Sequence, residues 1–184
     1  MARLKPVVLI VLDGWGVAPS SPTNAISQAR VPFFRQLVEE YPALTLQAAG
    51  EAVGLLWGEM GNSEVGHLCL GAGRIVYQSM PRINRAISQG AFNNREAFNQ
   101  TFAHLRQQPG AKLHLVGLVS NGGVHSHQEH LYAMLDLCHE RGVQPWVHVI
   151  LDGRDTARDA CLEFVIQLER KLQETGGKIT TVTG

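Results

Sequence analysis

Leu113-His114-Leu115-Val116-Gly117-Leu118-Val119, Trp146-Val147-His148-Val149-Ile150-Leu151 and Lys178-Ile179-Thr180-Thr181-Val182-Thr183 are three runs rich in apolar and β-branched residues. Such runs, bounded by glycines and polar turns, are strands. Between the first and second lie Leu131, Met134, Leu135 and Cys138, at the i, i+3, i+4 and i+7 spacing of one helix face. Between the second and third lie Cys161, Phe164, Val165, Leu168 and Leu172, again on one face. Gly142 and Gly176-Gly177 end these helices. Strand, helix, strand, helix, strand at this spacing predicts a βαβαβ unit with parallel strands and right-handed crossovers. Parallel strands put their C-terminal ends on one edge, where open α/β sheets bind ligands. The turns Ser120-Asn121-Gly122-Gly123 and Asp152-Gly153-Arg154-Asp155 therefore open on the same side. Gly184 stands at the tip of the third strand, where a further ligand loop is expected.

Towards the N-terminus, helices are expected over residues 79–88 and 95–108, the second closed by Pro109-Gly110. Another begins near Ser63 and stops at Gly71-Ala72-Gly73, and one runs from Pro32 to about Glu40. Residues 43–48 suggest a short strand, and the glycine-rich residues 50–62 a loop. Val7-Val8-Leu9-Ile10-Val11-Leu12 is continuously apolar, the pattern of a strand buried on both faces. Asp13-Gly14-Trp15-Gly16 follows, placing a carboxylate at that strand's tip.

The 184 residues suffice for one domain or parts of two, and 45% hydrophobic with 17% charged residues is an ordinary globular balance. Sixteen basic and sixteen acidic residues cancel and are scattered, so neither nucleic acid nor a membrane surface is an expected partner. Cys69, Cys138 and Cys161 form no CxxC pair and read as reduced cysteines. Arg3 and Lys5 precede an apolar run too short for a signal or membrane segment, so a soluble cytoplasmic protein is expected.

Several side chains have the chemistry for a site. Ser63 opens a helix with Glu64 in its first turn; its oxygen suits a helix cap or a phosphate held among the free amides. Asp13 is a turn aspartate or a hard metal ligand, and a divalent metal beside it would activate a serine hydroxyl. Arg154 with Asp155 and Asp152 forms either a local ion pair or a fork for a carboxylate or phosphate. His125, His127 and His130 resemble the metal-binding run of metallo-β-lactamase-type zinc hydrolases. That chemistry needs downstream ligands, and only His139, in a helix, and His148, in a strand, follow.

Five blocks together carry a more specific resemblance: Leu9–Gly16, Met60–His67, Gly71–Gln78, Gly122–His127 and Leu151–Thr156. They resemble, in order, the successive motifs of cofactor-independent phosphoglycerate mutase, over the first third or so of that family's chain. At Cys69-Leu70 the family more often has Asn and an aliphatic residue. The resemblance implies an α/β protein: the first segment of an alkaline-phosphatase-like domain (residues 1–76), then part of an inserted substrate-binding α/β domain (77–184) containing the βαβαβ sheet. It implies two divalent metal ions, usually manganese, and no 2,3-bisphosphoglycerate. By matching position, Ser63 is the nucleophile that becomes phosphoserine and also a metal ligand, and Asp13 is a ligand of the same metal. His125, Arg154 and Asp155 match positions that hold the substrate as 3-phosphoglycerate and 2-phosphoglycerate interconvert. The family's other metal ligands, further arginines and a lysine fall beyond Gly184. The chain is therefore expected to be an inactive N-terminal portion that needs a missing or separate C-terminal segment. A non-catalytic phosphate-binding fragment is the alternative.

Overall fold

Strands β1 (His114–Val119), β2 (Trp146–Leu151) and β3 (Lys178–Thr183) lie side by side in that order, and both pairs are parallel. In the computed structural model, which describes residues 5–184, β1 and β2 stay in register from His114 opposite Trp146 to Val119 opposite Leu151. The β2–β3 register shifts between Val147, opposite Ile179, and His148, opposite Thr181. Arg3 lies outside the described residues.

Two helices complete the unit, α6 (Gln128–Glu140) and α7 (Cys161–Thr175). Successive right-handed crossovers in one direction bring both to the same face of the sheet. There Leu135 of α6 and Phe164, Leu168 and Leu172 of α7 pack on Val119, Val147 and Val149. Leu135 and Leu168 are wholly buried, each worth about 1.5–3 kcal/mol relative to exposure. Side chains alternate along a strand, so Trp146 and His148 turn to the opposite face. The Lys112 and Lys178 ammonium groups each lie 3.9 Å from the Trp146 ring centre. Behind α6, Leu137 and Cys138 pack against Phe102 of α5 (Glu96–Gln107). Gly177, at φ +97°, makes the turn into β3 so close to Pro145 that a Cβ there would sit 2.7 Å from the Pro145 carbonyl oxygen.

The chain divides into two compact units, the second beginning at Ser79 with α4 (Ser79–Ser88). The first unit holds α1 (Ala25–Gln28), α2 (Pro32–Glu40), a 3-10 turn (Gly50–Val53) and α3 (Ser63–Ala72). Asn24 caps α1 by accepting from the amides of Ile26 and Ser27, and proline sits in the first turn of α2. Val53, Leu55 and Val65 form its small core with Cys69 against them.

Three expectations fail in this unit. Residues 7–12 form no strand and pair with none, and their exposure runs from 44% at Val11 to 95% at Val7. A strand buried on both faces needs neighbours on both sides, and no described residue supplies one. Residues 43–48 likewise join no sheet, and Leu44 and Leu46 are exposed. Nor is Ser63 the cap of α3. Asn62 occupies that position, in extended conformation, and its side chain accepts from the Val65 amide. Ser63 is the first helical residue, so its hydroxyl is free to turn elsewhere.

The three cysteines are free, and burial pushes the Cys138 thiol up to about 11. Among the described residues no helix is long and apolar enough to cross a membrane.

Candidate functional site

In the first unit, the Ser63 hydroxyl donates a 2.6 Å hydrogen bond to Asp13 Oδ2, across fifty positions of sequence. Asn62 takes the Val65 amide and the Gly66 amide bonds the Asn62 carbonyl, so the amides of Ser63 and Glu64 keep no acceptor among the described residues. They stand beside the Ser63 oxygen at the positive end of the helix dipole. One turn on, His67 donates from Nδ1 to the Ser63 carbonyl at 2.7 Å, leaving its Nε2 lone pair outward. All three side chains are exposed or partly so. The arrangement offers two oxygen donors and two free N–H groups at one point, which suits a hard cation or a phosphate.

In the second unit, the β1–α6 and β2–α7 loops meet at the C-terminal edge of the sheet. His125 on the first loop donates from Nδ1 to Asp155 Oδ2 on the second at 2.6 Å, because a carboxylate only accepts. The Asp155 side chain is 8% exposed and that of His125 52%, so the imidazole fronts solvent with its Nε2 available. Arg154 is exposed, and its guanidinium makes no hydrogen bond or ion pair among the described residues. Its planar fork is therefore unused, and the local Arg–Asp pair open at the sequence level does not form.

Beneath these residues lies Asp152, which is buried. Its Oδ1 accepts from the amides of Arg154 (2.9 Å) and Asp155 (3.0 Å), and Oδ2 accepts from the Ser120 hydroxyl at 2.6 Å. The Ser120 hydroxyl first, then the backbone amides, hold the Asp152 carboxyl down at about 2 despite burial.

The three histidines of the β1–α6 loop and the start of α6 do not share one point. His127 caps α6, its Nδ1 accepting from the Glu129 amide at 3.3 Å, and His130 donates from Nε2 to Asn84 at 2.7 Å. Burial, helped by His127 and opposed by Glu129, lowers the His130 pKa. Among the described residues no three His, Cys, Asp or Glu side chains group as metal ligands. The zinc-hydrolase alternative thus lacks its ligand set, because each histidine is committed to a different partner.

Sequence reasoning paired Asp13 with Ser63 and grouped His125, Arg154 and Asp155; the structure bonds Asp13 to Ser63 and His125 to Asp155, while the Arg154 side chain bonds neither of its two companions. That reasoning passed over Asn62, His67 and Ser120. His67 follows Ser63 by one helical turn, a spacing that could have marked it. Ser120 carries no such signal, since its partner is 32 positions away.

Known proteins carry similar sequences. A family model described as the BPG-independent PGAM N-terminus matches residues 83–184. The 2,3-bisphosphoglycerate-independent phosphoglycerate mutase of Symbiobacterium thermophilum is 51% identical, over all of this chain and 36% of its own length. That of Moorella thermoacetica is 48% identical, over 98% of this chain and 35% of its own. Among solved structures, Leishmania mexicana phosphoglycerate mutase at low cobalt concentration aligns with a TM-score of 0.61 and 33% identity, covering 93% of this chain and 32% of that one. The chain thus spans about a third of the length of these relatives. With a matching family model over more than half its length, this chain belongs to the 2,3-bisphosphoglycerate-independent phosphoglycerate mutase family, whose N-terminal region it matches.

Proposed function

We propose that this chain supplies the nucleophile and part of the substrate cradle of a phosphoglycerate mutase that interconverts 3-phosphoglycerate and 2-phosphoglycerate through a phosphoserine. The observation that carries the reading is the 2.6 Å Ser63–Asp13 hydrogen bond at a helix start with two free amides. Residues 1–76 are assigned to a phosphatase-like domain and 77–184 to the inserted substrate-binding domain. Ser63 and Asp13 are oxygen donors of the kind hard divalent cations take, and they would contribute two ligands to a larger set. We assign them to one of two divalent ions, with manganese the expected metal. A bound divalent cation favours the ionised serine oxygen and neutralises charge that builds on phosphoryl oxygens.

The chain's own residues do the rest. Ser63 presents its oxygen at the helix start, where the amides of Ser63 and Glu64 donate to a phosphoryl group held there. Asp13 accepts the Ser63 proton in the resting arrangement and so fixes the hydroxyl rotamer. His125 offers Nε2 and Arg154 its guanidinium to the phosphoglycerate, with Asp155 fixing the imidazole tautomer. Ser63 takes the phosphoryl group from one hydroxyl of the glycerate, which re-orients while still bound, and the other hydroxyl takes the group back from the serine. The partner is the remaining two thirds of the protein, as a continuation or a separate chain.

A chimera tests this: residues 1–184 replace the matching third of the Symbiobacterium thermophilum relative, with which they share 51% identity. The chimera is expected to interconvert the two phosphoglycerates with manganese, and Ser63→Ala to abolish turnover and phosphoserine formation together. Turnover surviving Ser63→Ala would overturn the assignment. The 184-residue chain alone is expected to show no mutase activity.

A further inference from the structure

We propose that Ser120 and Asp152 are positioning residues: a buried tie between the two substrate loops sets the orientation of His125, Asp155 and Arg154. The proposal rests on the functional reading above for its ligand and on geometry for the rest. Ser120 closes β1 and Asp152 closes β2, so the 2.6 Å bond between them joins two strand ends at the sheet edge. Each partner is also the anchor of its own loop. The Ser120 hydroxyl accepts from the Gly122 amide at 3.2 Å, and the Ser120 carbonyl accepts from the Gln128 amide at 2.7 Å. Asp152 Oδ1 takes the amides of both Arg154 and Asp155, folding the chain so that the Asp155 carboxylate faces His125.

The loops also touch directly. A Cβ at Gly122 would sit 2.6 Å from Asp155 Cβ and 3.2 Å from Asp152 Oδ2, so the glycine is required for the loops to close together. Four hydrogen bonds on one wholly buried hydroxyl and one buried carboxylate leave the pair little freedom to move. Both groups lie beneath the residues that face solvent, so neither serves as a ligand contact itself. They act through His125 and Arg154, as supporting residues do behind a recognition surface.

The experiment uses the 184-residue chain, with 3-phosphoglycerate as the calorimetric titrant and the ring-nitrogen resonances of His125 as a report on its tautomer. In the wild type, Asp155 holds His125 in the Nδ1–H form. Asp152→Ala is expected to lose that single tautomer and to weaken 3-phosphoglycerate binding by about tenfold or more, the cost of a lost charge-assisted network. Asp152→Asn keeps an acceptor for the Arg154 and Asp155 amides and is expected to retain the tautomer and bind within about threefold of wild type. Gly122→Ala, which removes no polar group, is expected to behave like Asp152→Ala, and it carries the test if that variant does not fold. Wild-type tautomer and affinity in a folded Asp152→Ala or Gly122→Ala chain would overturn the proposal. If the wild type binds no 3-phosphoglycerate while Asp152→Ala still releases the His125 tautomer, the tie stands and the substrate reading fails.

Discussion

At the scale of single residues, Ser63 and Asn62 divide between them two tasks that one side chain had to share in the sequence reading. Two adjacent residues with good capping chemistry cannot be ranked from sequence, because the choice depends on which one adopts the extended cap conformation. Asn62 does so at φ −143° and ψ 167°, and Ser63 turns to Asp13. Asn62→Ala should therefore destabilise α3 by about 1 kcal/mol while leaving the Ser63 hydroxyl in place, a separation that thermal unfolding of this variant beside Ser63→Ala would reveal. Asp152 supports a second prediction. Its folded pKa, about 2, lies below the usual carboxylate value of 3.8, so the unfolded chain binds the proton more readily. The stabilisation is complete above about 3.8 and disappears as the pH falls from there through about 2. Wild type and Asp152→Asn should thus differ in urea stability by a constant amount near neutrality and converge below pH 3.8, whereas a gap that persisted at pH 2 would contradict this. That Ser120 holds this carboxylate was invisible in sequence, since a serine after a strand looks the same whether it meets solvent or a partner on the next strand.

At the scale of elements, what was legible and what was not follows from where each element finds its partners. The β1–α6–β2–α7–β3 unit is complete within one stretch, so hydrophobic period and glycine stops were enough to place it. Residues 7–12 carry an equally clear strand pattern, yet the pattern specifies burial between neighbours that residues 5–184 do not contain. Six exposed apolar residues with a strand pattern and no partner strand invite pairing with another chain. Ile10→Lys should therefore suppress aggregation, read by light scattering on warming, without lowering the unfolding midpoint of the second unit. Strong hydrogen-exchange protection of residues 7–12 in the monomer would contradict the unpaired arrangement. The α7–β3 turn makes the opposite case, of an element held tightly. Gly177→Ala would place an L side chain at φ +97° and against the Pro145 carbonyl. About 1–2 kcal/mol of backbone strain comes from the positive φ alone, and urea unfolding of this variant should show at least that loss.

At the scale of the whole molecule, the two units differ in how much of a core each possesses. The unit from Ser79 packs one cluster of seven buried residues between sheet and helices, and a second around Phe102. The unit ending at Gln78 buries three residues in its cluster and leaves Val7, Val17, Leu46, Trp57 and Met60 largely in solvent. Cooperative unfolding requires buried area that many residues share, and a cluster of three cannot offset the chain entropy of so long a segment. A chain of residues 79–184 should therefore fold alone and melt in one urea transition, with Leu168→Ala lowering its stability by about 2–5 kcal/mol. Residues 1–78 alone should show a sloping signal with no transition. Adding the remaining two thirds of the Symbiobacterium thermophilum relative to the full 184-residue chain should then protect the amides of residues 7–12 from exchange while leaving those of β1 and β2 unchanged. If residues 1–78 instead unfold cooperatively by themselves, their exposed strand is a feature of a finished domain, and the case for a partner that completes it fails.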